Sequence, residues 1–262
     1  MRINHILIKI MVTILFILNC SGNDDNKKDY SVKDTLSVNF NQIKKIIIDN
    51  HSGGINIVGD TLADKWECIV TKVVRGENEQ DLLELVNYGS IEMIDQPNSI
   101  KIKTSVNEDF PKNKEMLFYF EFIIPKETAV EIKNINGEIM TDNLQNQLKI
   151  NNLTGNIQAT HITSDFIDCE TVTGNIYISA RDITDEIQWS FLATTGNIDL
   201  TFIEGVNARL TARVNTGFIN WSHIDYFSIL EETQGLLKAR IKEGKGEIFI
   251  ETITGNINIT SY

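Results

Sequence analysis

The sequence predicts an all-β protein: a single-domain solenoid, a parallel β-helix or β-roll, with rungs of about twenty residues. Three observations predict it. The tetrapeptide Thr-Gly-Asn-Ile recurs at 154–157, 173–176, 195–198 and 254–257, with variants at Thr216-Gly217-Phe218-Ile219, Asn136-Gly137-Glu138-Ile139 and Gln234-Gly235-Leu236-Leu237. The glycines of these copies are spaced by 18, 19, 22, 21, 18 and 20 residues, a period that marks repeat architectures. Apolar residues alternate with polar ones on both sides of each glycine, which is strand periodicity.

Aligning the copies on the glycine shows what each residue type contributes. Seven residues before it stand Val130, Leu148, Ile167, Trp189, Leu210 and Ile248. Five before stand Ile132, Ile150, Cys169, Phe191, Ala212, Leu230 and Ile250. Two after stand Ile139, Ile157, Ile176, Ile198, Ile219, Leu237 and Ile257, and four after stand Ala159, Ile178, Leu200, Trp221, Ala239 and Ile259. Ser228 alone breaks the first column. Each copy therefore reads as strand, glycine bend, strand. One copy cannot bury its apolar pairs, whereas stacked copies build a continuous core and satisfy each other's backbone. An antiparallel sandwich with the glycines at hairpins is the alternative architecture, although hairpin turns rarely repeat the same four residues.

Along the chain, residues 1–19 read as a signal peptide. Arg2 and Lys9 precede an apolar run from Ile10 to Leu18, and nine helical residues are too short for a bilayer. The run ends Leu18-Asn19-Cys20, which resembles a bacterial lipobox with Cys20 as the lipidation site; Asn19 departs from the small residue usual there. Residues 20–37 are polar and acidic and are expected to form a flexible tether. The acidic stretch after Cys20 resembles the surface-export signal of Bacteroidetes lipoproteins.

The solenoid domain is expected over 38–262, with regular repeats over 130–262. Ile46, Ile48, Gly53, Ile55 and Ile57 reproduce the repeat pattern, placing Gly53 with the bend glycines Gly137, Gly155, Gly174, Gly196, Gly217, Gly235 and Gly255. From Gly53 to Gly137 is 84 residues, about four periods. Within them, 77–87 suggests a short amphipathic helix, and 100–103 and 117–124 read as strands, the second ended by Pro125.

The residues suggest binding rather than catalysis. The formal net charge of −12 argues against a nucleic-acid partner. His51, His161 and His223 lack metal-ligand spacing, no cysteine pair has zinc spacing, and no phosphate loop or nucleophile elbow occurs. Gly53-Gly54 and Gly59-Asp60 lack the repetition a calcium-binding repeat needs. No catalytic residue, metal site or cofactor is assigned. Cys169, in an apolar column, is expected to be a free buried thiol, and Trp189, Phe191 and Trp221 to pack inward. Arg209 and Arg213 should face outward. The segment ends at Tyr262 just after an apolar column, so its last rung is expected to present an unpaired edge for end-to-end self-association.

The opening Gly-x-Ile-x-Ile, a strand run ending in Pro and repeated Asn/Thr-Gly-x-Ile units over about 38–262 resemble the putative-adhesin family of bacterial envelope proteins, and head-GIN-type auto-transporter adhesins. The resemblance implies a β-solenoid at the cell envelope without agreed catalytic residues. The favoured reading is a lipid-anchored, non-catalytic adhesin or scaffold at the outer membrane, membrane-bound through its lipid and binding a glycan, a protein or itself. A periplasmic envelope-stress or signalling accessory protein is the alternative. A β-helix polysaccharide-active enzyme is less favoured, because nothing in the alignment brings an acid and a base together.

Overall fold

A computed structural model describes residues 9–11, 28–38, 44–63, 66–76, 84–180, 186–203 and 205–262. Most of them are strand. The chain forms a single solenoid domain in which two eleven-stranded sheets face each other across one core.

The first sheet runs in the order β1 (Lys9–Met11), β2 (Lys28–Val38), β5 (Trp66–Gly76), β8 (Glu115–Pro125), β4 (Ile55–Asp60), β10 (Ile139–Asp142), β12 (Ile157–Ile162), β14 (Ile176–Ala180), β16 (Ile198–Phe202), β22 (Ile257–Ser261) and β18 (Ile219–Ser222). The second runs β19 (Phe227–Thr233), β20 (Leu236–Ile241), β17 (Ala208–Thr216), β21 (Gly246–Thr254), β15 (Gln188–Thr195), β13 (Phe166–Thr173), β11 (Leu148–Thr154), β9 (Ala129–Asn136), β3 (Lys45–Ser52), β7 (Ser99–Val106) and β6 (Gly89–Gln96). From β8 to β18, and from β7 to β17, every pairing is parallel. Antiparallel pairs are confined to the ends of the stack.

The apolar columns of the sequence are the observed register. Val130, Leu148, Ile167, Trp189, Ile248 and Leu210 are consecutive partners across the second sheet. Ile55, Ile139, Ile157, Ile176, Ile198, Ile257 and Ile219 are consecutive partners across the first. Each rung thus sends two pairs of side chains inward, and apart from the last rung's Ile219 and Trp221 nearly all are buried. Trp189 packs inward as expected, and its indole nitrogen donates to the Ser164 carbonyl at 2.9 Å. Cys169 is fully buried, paired in register with Phe191.

The bend accounts for the glycine. Gly196 has φ +151°, and a Cβ there would fall on the Gly174 carbonyl oxygen of the rung below. A second bend six residues later uses left-handed Asn143, His161 and His223, with φ +55°, +52° and +57°. Two of the isolated histidines are therefore corner residues. His161 Nδ1 lies 2.7 Å from the Asp142 carboxylate.

A buried polar column runs beside the glycines. Asn50 Nδ2 donates to Asn134 Oδ1 at 3.1 Å, and Asn134 Nδ2 to Asn152 Oδ1 at 3.2 Å. Asn152 also donates to the carbonyls of Gly137 and Gly155 at 2.9 and 3.0 Å. These amides satisfy the carbonyls that the bend turns inward. Their shared offset, three residues before each glycine, is legible in the alignment.

The structure corrects the sequence reading in several places. The rungs do not stack in chain order. Their glycines follow the spatial order 53, 137, 155, 174, 196, 255, 217, because β21 and β22 insert between the rungs of Gly196 and Gly217. Tyr262 therefore follows an interior rung, and the edges lie at β18 and β19. Gly235 is not a bend glycine of the stack. It occupies the turn between β19 and β20, an antiparallel hairpin laid against β17. This explains why Ser228 breaks the apolar column: β19 is an exposed edge strand.

Trp221 keeps its column position but lies on the edge strand β18, where 38% of it is exposed. The 84 residues between Gly53 and Gly137 are not four rungs. They form the antiparallel layers β5 and β6 at one end of the stack, with β7 and β8 as the last parallel pair. The segment 20–37 read as a tether holds all but the last residue of β2 (Lys28–Val38), which pairs antiparallel along β5. The helix expected over 77–87 is represented by a 3-10 turn at Val86–Tyr88, and 77–83 lie outside the described residues.

Candidate functional site

The residues singled out by the sequence have structural places. Gly53, Gly137, Gly155, Gly174, Gly196, Gly217 and Gly255 form one column at the bend. Cys20 lies outside the described residues. Cys68 and Cys169 are free, and burial pushes both thiols above their ordinary range. Arg209 and Arg213 face outward, Arg213 over the Phe249 ring at 5.5 Å. Among the described residues no three His, Cys, Asp or Glu side chains converge on a metal position, and no helix is long and apolar enough to cross a membrane.

A groove of about 840 Å³ lies at the β8 end, over the first bends. That volume suits a small or extended ligand. Its floor is the outer face of three parallel strands. Phe120 N donates to the Gly54 carbonyl and Ile55 N to the Glu138 carbonyl, both at 2.9 Å. This register sets Tyr119, Gly54 and Glu138 side by side, with Glu121, Asn56 and Met140 as the next row. Side chains alternate across a strand, so all six face out while Phe120 and Phe122 face the core.

Gly54 lets Tyr119 lie close to the backbone: a Cβ at Gly54 would stand 3.4 Å from the tyrosine Cδ1. The ring remains 38% exposed. One wall is the segment between β7 and β8. Asn107 N donates to the Tyr88 carbonyl at 2.9 Å, and Phe110 N to the Asn107 carbonyl at 3.0 Å. The Phe110 ring packs on Tyr88 with centroids 6.2 Å apart. His51 closes the bend side, its backbone N–H held by Thr104 Oγ1 at 2.8 Å. Arg75 and Glu115 pair at 3.2 Å along the rim. The groove therefore offers carboxylate and amide acceptors, amide donors and an aromatic surface. Single-sequence reading missed it, because its walls come from the irregular segment between the first two bend glycines.

Beyond the groove, the outer face of the first sheet continues as a ladder. The backbone N–H of Asn175 donates to Asn156 Oδ1 at 2.9 Å, that of Asn197 to Asn175 Oδ1 at 2.8 Å, and that of Asn256 to Asn197 Oδ1 at 2.8 Å. The Asn of Thr-Gly-Asn-Ile is thus a rung-to-rung clamp. The outer face of the second sheet combines charged side chains with an exposed apolar row, Ile135, Leu153, Val172 and Ile253. A hydrogen bond from Lys45 at 2.7 Å holds the Glu131 carboxyl below its usual range, and the bond to Asp168 at 2.7 Å holds Lys149 above its own.

This two-sheet solenoid with a glycine-ladder bend defines the class, and the sequence defines the family. The chain belongs to the Toastrack DUF4097 family, whose model matches residues 33–260. Its fold is similar to that of a putative cell adhesion protein from Clostridium sporogenes, at TM-score 0.51 and 14% identity, covering 88% of this chain and 100% of that one. A putative adhesin from Bacteroides fragilis is 13% identical with TM-score 0.40, covering 87% of this chain and 96% of that one. No curated protein matches the chain.

Proposed function

We propose that this chain is a non-catalytic adhesin or scaffold of the bacterial cell envelope, anchored through lipid on Cys20 and making its contacts on the outer face of the first sheet. The observation that carries the reading is that face: a rigid, exposed ladder repeated rung after rung, opening into a groove at one end. Membership of the Toastrack family and the likeness in fold to a putative cell adhesion protein support it. Contact between copies belongs to the same reading. Its surface is the end bearing β18 and β19, where Phe218 and Leu230 are 62% and 64% exposed beside unpaired strand edges.

The test is protease treatment of intact cells, with a Cys20→Ala variant as control. Loss of the chain from untreated-envelope cells, and release of the variant from the membrane fraction, are the expected results. Protection until the outer membrane is opened would replace adhesion by a periplasmic accessory role. A variant that stays in the membrane fraction would remove the lipid anchor from the reading.

A further inference from the structure

The two outer faces of the solenoid differ in chemistry, and the fold does not require the difference. On the second sheet, outward positions carry charges of both signs, among them Glu131, Lys133, Lys149, Asp168, Glu170 and Glu251. On the first sheet, the positions one, three and five residues after each bend glycine hold no Lys or Arg in any of the seven rungs. Amides and hydroxyls dominate there, with acids only at Glu138, Asp142 and Asp199.

These groups are fixed in place. Asn258 Nδ2 donates to Asp199 Oδ1 at 2.6 Å, and Asn220 Nδ2 to Asn258 Oδ1 at 2.9 Å. In the clamp column, Asn156, Asn175 and Asn197 use their side-chain oxygens within the stack. Their Nδ2 groups have no partner among the described residues, so the face presents a row of amide donors one rung, about 4.8 Å, apart. Three rings punctuate it: Tyr177, 40% exposed, Tyr119 in the groove at one end, and Phe218 on the last rung at the other.

We propose that this face and its groove bind a neutral polysaccharide. The inference rests on the adhesion reading and names its ligand class. A sugar presents hydroxyl edges, which pair with fixed amides and carboxylates, and C–H faces, which pack on aromatic rings. Along the ladder no cation meets a sulfated, phosphorylated or uronic polymer; in the groove Arg75 is already paired with Glu115, Lys114 is the other cation of the lining, and the net charge of −12 repels such a polymer. A protein partner would call for an apolar centre. The central rungs offer no apolar side chain there except the Tyr177 ring. Seven rungs give a track of roughly 29 Å, enough for several sugar units in a row.

The test applies the full chain to immobilised polymers of both classes: laminarin, dextran and mannan as neutral probes, heparin and polygalacturonate as anionic ones. Retention on at least one neutral polymer is expected, with none on the anionic pair. Replacing two of the rings, Tyr119→Ala with Tyr177→Ala, should weaken it roughly tenfold at an unchanged melting temperature. Lys133→Ala, on the opposite face, should leave it intact.

No retention on any neutral polymer, preference for an anionic one, or equal binding by the ring variant overturns the proposal. A chain accessible on intact cells that ignores every neutral polymer loses the glycan site and keeps adhesion. A chain protected within the envelope that binds one loses surface adhesion and keeps the glycan site. Shortening of a bound polymer would make the groove an active site and overturn the non-catalytic reading.

Discussion

Thr141 shows how closely a single core position is constrained. It occupies the column of Ile57, Ala159 and Ile178, and its hydroxyl is buried with no partner among the described residues. A lone buried hydroxyl costs on the order of 1–3 kcal/mol. Thr141→Val keeps the shape and removes that cost, so urea unfolding should show a variant about 1 kcal/mol more stable. A less stable variant would mean that the hydroxyl has a partner. On the charged face, Lys45 holds the Glu131 carboxyl below its usual value of 4.5. A carboxyl lowered in the folded state contributes stability above that value and loses it as pH falls through the folded value. Lys45→Ala should therefore destabilise at neutral pH, and the deficit should close in acid; a deficit that persists there would reflect packing of the lysine stem. Lys149 has the opposite sign. Its raised value adds stability that is full below 10.5 and fades as alkaline pH passes the folded value.

At the scale of the element, the rung was largely legible and its exceptions were not. The columns of Ile157, Ile176 and Ile198 are visible as spacing because strand periodicity and the bend repeat together. The buried amides Asn50, Asn134 and Asn152 were equally regular, but a polar residue in a strand reads as solvent-facing unless the bend's inward carbonyls are known. Gly235 was misread because a glycine in a hairpin turn and a glycine in a bend look alike. Ser228 in the broken column, and the missing Thr and Asn beside Gly235, were the available warnings. The groove escaped entirely, since Tyr119 and Gly54 meet only through the pairing of β4 with β8. The bend itself yields a sharp prediction. Gly196→Ala meets both a left-handed φ and the Gly174 carbonyl, and should cost roughly 2–5 kcal/mol in urea unfolding. A loss below about 1 kcal/mol would show that the rungs can part to admit a methyl group.

For the whole molecule, the sequence specified the layers but not their order. Every rung carries the same apolar columns, so any rung can sit beside any other, and neighbour choice is left to the ends. At one end the antiparallel strands β5 and β6 continue the two sheets beyond β8 and β7. At the other, β18 and β19 are the edge strands, as β1 and β6 are at the first end. Sedimentation velocity should therefore show self-association that Leu230→Lys reduces, whereas a monomer at all concentrations would leave this end without a partner. The interleaving of β21 and β22 also governs when the molecule can be finished. Among the described residues, the only strand paired with β18 is β22. A chain delivered from its amino end, by a ribosome or through a secretion pore, reaches the Gly217 rung before the rung that must receive it exists. Its β17 can pair with β20 at once, but β18 has to wait, unpaired, for residues 257–261, so a product halted short of them carries a loose strand that chaperones and proteases can recognise, and the arrival of β22 is the event that seats it.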